Sequence, residues 1–308
     1  VKQTPTLSHG FVSVNGIKLH TVSAGKGPLV LFLHGFPEFW YAWKDVLPEV
    51  AKAGLQAVAI DMRGYNTSDK PKDLSAYRLP ELIADVRGVI QTLGRGRKAI
   101  LVAHDWGGAV AWAFAGAHPE LLEKLVIINA PHPTVFAREL ATNPKQQAAS
   151  AYMTFFQSPG AEEALLKESC AGLVMSILGA RKRKPPYTPE EKDAYIKAWT
   201  QPGALTGGLN YYRANKVAPP ASGKQPLSIG ESFGTTGPVN VKVPTLVVWG
   251  MLDTALLAGN IDGLDKYVKQ LTIRRIPDGS HWVIHERTTD ISNMITAFAL
   301  GTAVLDVK

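Results

Sequence analysis

The chain has 308 residues, 45% hydrophobic and 19% charged, a balance that suits a packed globular protein and excludes a disordered or fibrous one. Lysine and arginine outnumber aspartate and glutamate by 33 to 26, but the one dense basic cluster, RKRK (181–184), has no recognition helix or aromatic platform beside it. It reads as a solvated loop, the +7 charge as a solubility feature, and no nucleic-acid partner is expected.

No apolar run reaches the roughly 18 residues of a membrane span, so no membrane partner is expected either. The single cysteine, Cys170, forbids an internal disulfide and favours a reducing, cytoplasmic setting. The chain starts at Val1 rather than Met, which leaves room for a removed leader.

In chain order, FVSVNGIKLHTVSAG (11–25) predicts an antiparallel hairpin about Asn15-Gly16. Four short apolar runs follow: PLVLFLHG (28–35), LQAVAIDM (55–62), KAILVAHD (98–105) and KLVIINA (124–130). A fifth, TLVVWG, occupies 245–250. They are near-continuous in hydrophobicity, as strands buried on both faces are. Helical patterns such as LPELIADVRGVIQTLG (79–94) lie between them, and the alternation predicts an α/β fold with a mostly parallel sheet flanked by helices.

From 134 to 242 the strand signal stops. AEEALLKESCAGLVMSIL (161–178) and EEKDAYIKAWT (190–200) read as helices, with Cys170 a small apolar residue inside the first. The Pro/Gly/Ser-rich VAPPASGKQPLSIGESFGTTGP (217–238) reads as a flexible return. The expected organisation is a core of 1–133 and 243–308 with a helical cap of 134–242.

The stretch VAHDWGG (102–108) joins a strand to a helix through a turn with small residues on both sides of a central carboxylate. That is the layout of a nucleophile elbow, although an Asp before a helix also fits an N-cap. The surrounding motifs weigh for the elbow: HGFPE (34–38), DMRGYNTSD (61–69), AHDWGG (103–108), NAPHP (129–133), WGMLD (249–253) and DGSHW (278–282). In this order they resemble the α/β-hydrolase superfamily, and within it the epoxide hydrolases, over essentially the whole chain.

The resemblance implies a nucleophile at Asp105, whose ordinary pKa of about 3.9 leaves it ionised at neutral pH without help from a base. It implies a base at His281 that activates water, an orienting carboxylate at Asp253, and an oxyanion hole from the backbone N–H groups of Phe36 and Trp106. AYMTFFQSPG (151–160) and GGLNYYRAN (207–215) resemble the family's two lid motifs, placing proton donors at Tyr152 and Tyr212, with Tyr211 as the neighbour that confuses the count. Trp106 and Phe36 are also expected against the substrate, and the Phe36-Pro37 bond is a candidate cis peptide.

The implied activity converts a small-molecule epoxide and water to a vicinal diol, with no cofactor or metal, in a monomer or homodimer. The alternatives are a haloalkane or haloacetate dehalogenase with the same nucleophile and a non-catalytic small-molecule receptor on this fold. His34 and His104 read as loop ties, and His285 shares a helical face with His281 but lacks a third metal ligand. WYAW (40–43) fits either pocket lining or packing.

Overall fold

A computed structural model describes residues 5–220 and 237–307. Strands β1 (Ser8–Val14) and β2 (Ile17–Ala24) form the antiparallel hairpin about Asn15-Gly16. Strands β3 (Leu29–Leu33), β4 (Gln56–Ile60), β5 (Ala99–His104), β6 (Leu122–Ile128), β7 (Thr245–Gly250) and β8 (Leu271–Ile276) run parallel to one another. The order across the eight-stranded sheet is β1-β2-β4-β3-β5-β6-β7-β8. From β3 the chain steps outward to β4 and then returns to β5 on the other side. Such a reversal opens a crevice beyond the carboxyl ends of the strands, where ligands of open α/β sheets bind.

The uniform hydrophobicity of the strands follows from cover on both faces. Leu31 and Leu33 share a buried cluster with helices α2 (Leu79–Gly94) and α3 (Asp105–Ala117). Val30 and Phe32 share another with α1 (Val46–Lys52) and the last helix, Thr288–Leu300. Every residue of β3 and β5 is buried, so a polar substitution on either face would lose its hydration.

Between β6 and β7 the described residues form helices α4 (Pro133–Thr142), α5 (Pro144–Ala149), α6 (Ala151–Gln157), α7 (Ala161–Leu173), α8 (Pro189–Trp199) and α9 (Ala204–Asn215). The last two helices are α10 (Val283–Glu286) and α11 (Thr288–Leu300). Helix α8 starts at a capping box, in which Thr188 accepts from the Glu191 N–H and the Glu191 carboxylate accepts from the Thr188 N–H. Asn215 ties α9 to the core by accepting from the Leu79 N–H and donating to the Tyr77 carbonyl.

Two expectations need correction. The helix read across 161–178 is not continuous: Glu168, Ser169 and Cys170 take left-handed φ values of 51°, 56° and 64°. A left-handed residue costs roughly 1–2 kcal/mol. The turn keeps Lys167, Glu168 and Ser169 exposed while Cys170, Leu173 and Leu178 are buried, which offsets that cost. The solvated reading of RKRK also fails at its first residue, since Arg181 is only 3% exposed. Most of the return predicted at 217–238 lies outside the described residues.

Candidate active site

The floor of the site is built at the carboxyl ends of β5, β7 and β8. Asp105, directly after β5, has φ 50° while its helix begins at once, which lifts the side chain off the sheet edge. Only small neighbours allow this bend. A Cβ at Gly107 would lie 2.5 Å from the His34 carbonyl oxygen, and one at Gly35 would lie 2.3 Å from Asp105 Oδ1. Gly35 therefore brings the loop after β3 onto the carboxylate, where the Phe36 N–H donates to Asp105 Oδ1 at 2.7 Å. The other oxygen, Oδ2, lies 3.6 Å from His281 Nε2.

His281, in the loop after β8, donates from Nδ1 to Asp253 Oδ2 at 2.7 Å, leaving Nε2 toward Asp105. Asp253 is itself held on every side. Its Oδ1 accepts the N–H groups of Ala255 and Leu256 at 2.8 and 2.9 Å, and Asn129 Nδ2 donates to its Oδ2 at 2.8 Å. Asn129, within NAPHP, also accepts the Gly250 N–H and so pins the end of β7. Its support of Asp253 has no local sequence signal beyond the motif, because the two residues are 124 apart.

Above the floor is a cavity lined by Asp105, Trp106, Phe136, Tyr152, Tyr212 and Leu256, among others. Tyr152 on α6 and Tyr212 on α9 share its wall, their rings 6.4 Å apart. Tyr212 sits edge-on to Trp106 and Phe36. Tyr211 is turned away and donates to the Arg63 carbonyl at 3.0 Å, a packing role. Met153 also lines the cavity, and sequence reading missed it and Phe136, since an apolar residue in a helical pattern looks the same in a core and in a pocket; Val217 lines it from the start of the segment read as a return.

Residues 28–288 match the family described as the alpha/beta hydrolase fold. The chain is 39% identical to the AB hydrolase superfamily protein YfhM of Bacillus subtilis over 94% of its own length and 96% of that protein. It is 35% identical to epoxide hydrolase 4 of Mus musculus, covering 94% of this chain and 79% of the mouse protein. This chain belongs to the epoxide hydrolase family of α/β hydrolases. Among solved structures, a Bacillus megaterium epoxide hydrolase in complex with an inhibitor superimposes with a TM-score of 0.86 at 33% identity, covering 94% of this chain and all of that one.

The charges of this epoxide hydrolase site are coupled. Burial alone would lower the His281 pKa, but Asp253, Asp105 and Glu38 together push it up to about 9. Burial opposes ionisation of Asp253, yet His281 and its other donors hold it below the usual carboxylate value. Both tyrosines are pushed well above 10, first by burial; Asp105 raises both, and Tyr152 also raises Tyr212. One carboxylate charge, that of Asp105, thus raises the base and both phenols.

Three other histidines tie the loops together. His34 accepts the Met62 N–H at 3.0 Å and donates to the Gly35 carbonyl, and His104 donates to the His281 carbonyl at 2.9 Å. His285 Nε2 donates to Glu38 Oε1 at 2.5 Å. Phe36-Pro37 is cis. WYAW packs rather than lining the cavity: Trp43 is fully buried against Phe32, and Trp40 lies against His9 and His20.

Proposed function

We propose that this chain hydrolyses epoxides to vicinal diols in two steps, through an alkyl ester on Asp105, and without a cofactor. The observation that carries this reading is the division of labour between the two oxygens of Asp105. Oδ1 is held by the Phe36 N–H, whereas Oδ2 faces His281, with Tyr152 and Tyr212 lining the same cavity. Oδ2 attacks a ring carbon, the carbon–oxygen bond of the ring breaks, and the alkoxide takes a proton from Tyr152 or Tyr212. Water deprotonated by His281 then adds to the ester carbon. The charge that develops on Oδ1 meets the N–H groups of Phe36 and Trp106, and the diol leaves with the original Oδ2.

The electrostatics support this order of events. With a pKa of about 9, His281 is mostly protonated at neutral pH, beside the Asp105 carboxylate that helps to raise it. Forming the ester removes the Asp105 charge, so the His281 pKa falls and the imidazole becomes available as a base in the step that needs one. The proton that His281 sheds restores the tyrosine that protonated the alkoxide. Collapse to product restores the carboxylate and the imidazolium.

Halide displacement is less well supported, because the cavity that holds Asp105 is also lined by two phenols, Tyr152 and Tyr212. We carry residues 134–242 as a cap on a core of 1–133 and 243–308, acting as a monomer or homodimer in the cytoplasm. Among the described residues no helix is long and apolar enough to cross a membrane. A single turnover in ¹⁸O water tests the covalent route: label is expected in the Asp105 carboxylate, and label confined to the diol would overturn it.

A further inference from the structure

The loop that carries the Phe36 N–H is held as much by the inserted helices as by the sheet. Trp199, the last residue of α8, donates from its indole to the Pro37 carbonyl at 2.6 Å. Tyr195, one turn earlier, donates from its hydroxyl to Glu38 Oε1 at 2.8 Å, and its ring stands edge-on to Phe39. Arg181, its side chain wholly buried, donates to the Tyr195 oxygen at 3.0 Å. Three consecutive residues beyond Phe36 are therefore gripped from one side by a helix that lies outside the cavity wall.

We propose that Tyr195 and Trp199 are positioning residues for the second half-reaction: from α8 they hold the loop that aims the Phe36 N–H at Asp105 Oδ1. The inference rests on the covalent reading given above. Its consequence is asymmetric between the two steps. In the first, Oδ1 passes from carboxylate to ester and loses negative charge, so the Phe36 hydrogen bond favours the ground state. In the second, Oδ1 gains a full charge, and the same bond favours the transition state. Loosening the loop thus slows ester hydrolysis and spares ester formation, whereas general damage to the fold would slow both.

The test uses the full-length enzyme with styrene oxide, acid-quenched during turnover, and mass spectrometry of the peptide bearing Asp105. Tyr195→Phe and Trp199→Phe are each expected to raise the steady-state ester fraction and to lower kcat about tenfold, less than the hundredfold or more typical of losing an oxyanion donor outright. The value of kcat/KM is expected to change less than threefold. Thr188→Ala serves as the control: it weakens the same helix at its capping box while leaving both contacts to the loop, and should lower the Tm without raising the ester fraction.

Equal slowing of both steps, or no change in the ester fraction with adduct present, would overturn the inference while leaving the covalent reading intact. A rise in ester fraction in Thr188→Ala equal to that in the two loop variants would also overturn it. Absence of any adduct on Asp105 in the unsubstituted enzyme would overturn the covalent reading and this inference together.

Discussion

The strand-end floor and the helical roof of the cavity solve different problems with different chemistry. On the floor, Asp105, His281 and Asp253 are each fixed by hydrogen bonds shorter than 3 Å to loops that follow parallel strands. On the roof, Tyr152 and Tyr212 are held by rings packed edge to face, including Phe156, Phe36 and Trp106. A floor of charges must be immobile, because stabilising a developing charge depends on dipoles that need not reorganise. A roof must admit the substrate, and aromatic contacts hold rings in place without costing an unpaired buried charge whenever they part.

The sharpest way to break this contrast is at the floor. Asp105→Ala is expected to lower diol formation by about 10⁴-fold or more, measured with styrene oxide, because no other group can accept the alkyl chain. His281→Gln should lower turnover by about 10³-fold while ester accumulates, which acid-quench mass spectrometry would reveal. Roof substitutions are expected to act earlier and less severely. Tyr152→Phe and Tyr212→Phe should each slow ester formation by about 10- to 100-fold without ester accumulating, and a rise in ester in either variant would place the tyrosine in the wrong step.

The contrast can also be sharpened by pH. The His281 pKa is raised from 6.5 to about 9 in the folded state, so the stability it contributes is fully present below pH 6.5 and is lost as pH rises through about 9. The Tm difference between the wild type and His281→Gln should therefore narrow across that interval. On the roof side, the Glu162 carboxylate on α7 pairs with Arg213 on α9, which holds its pKa down at about 2 against an ordinary 4.5. The smallest effect is expected here: Glu162→Gln should cost about 1 kcal/mol by thermal unfolding at neutral pH, and the cost should vanish as pH falls from 4.5 through about 2.

How much could be read in advance follows the same division. The strands were legible because burial on both faces leaves an apolar run that no surface helix needs, and Asp105 because an elbow needs small residues on each side of one functional group. Asp253 and His281 are single polar residues after strands, and only the order of motifs singles them out. Arg181 departs from that reading for a physical reason: a basic run is normally solvated, and what draws this guanidinium inward is a pair of buried carboxylates, Glu38 far away in sequence and Glu191 in the first turn of the next helix, each 3.7 Å from it. Nor could the pattern of 161–178 reveal the left-handed turn at Glu168 to Cys170. The apolar spacing on either side is helical, and the break is decided by which side chains the rest of the insertion can bury.

The lone thiol of the chain sits at that turn, fully buried at Cys170. Because it has no rival, a sulfhydryl-reactive dye added to the native protein can mark one atom alone. The pace at which colour develops would then clock how often this part of the insertion comes undone, without a single engineered label.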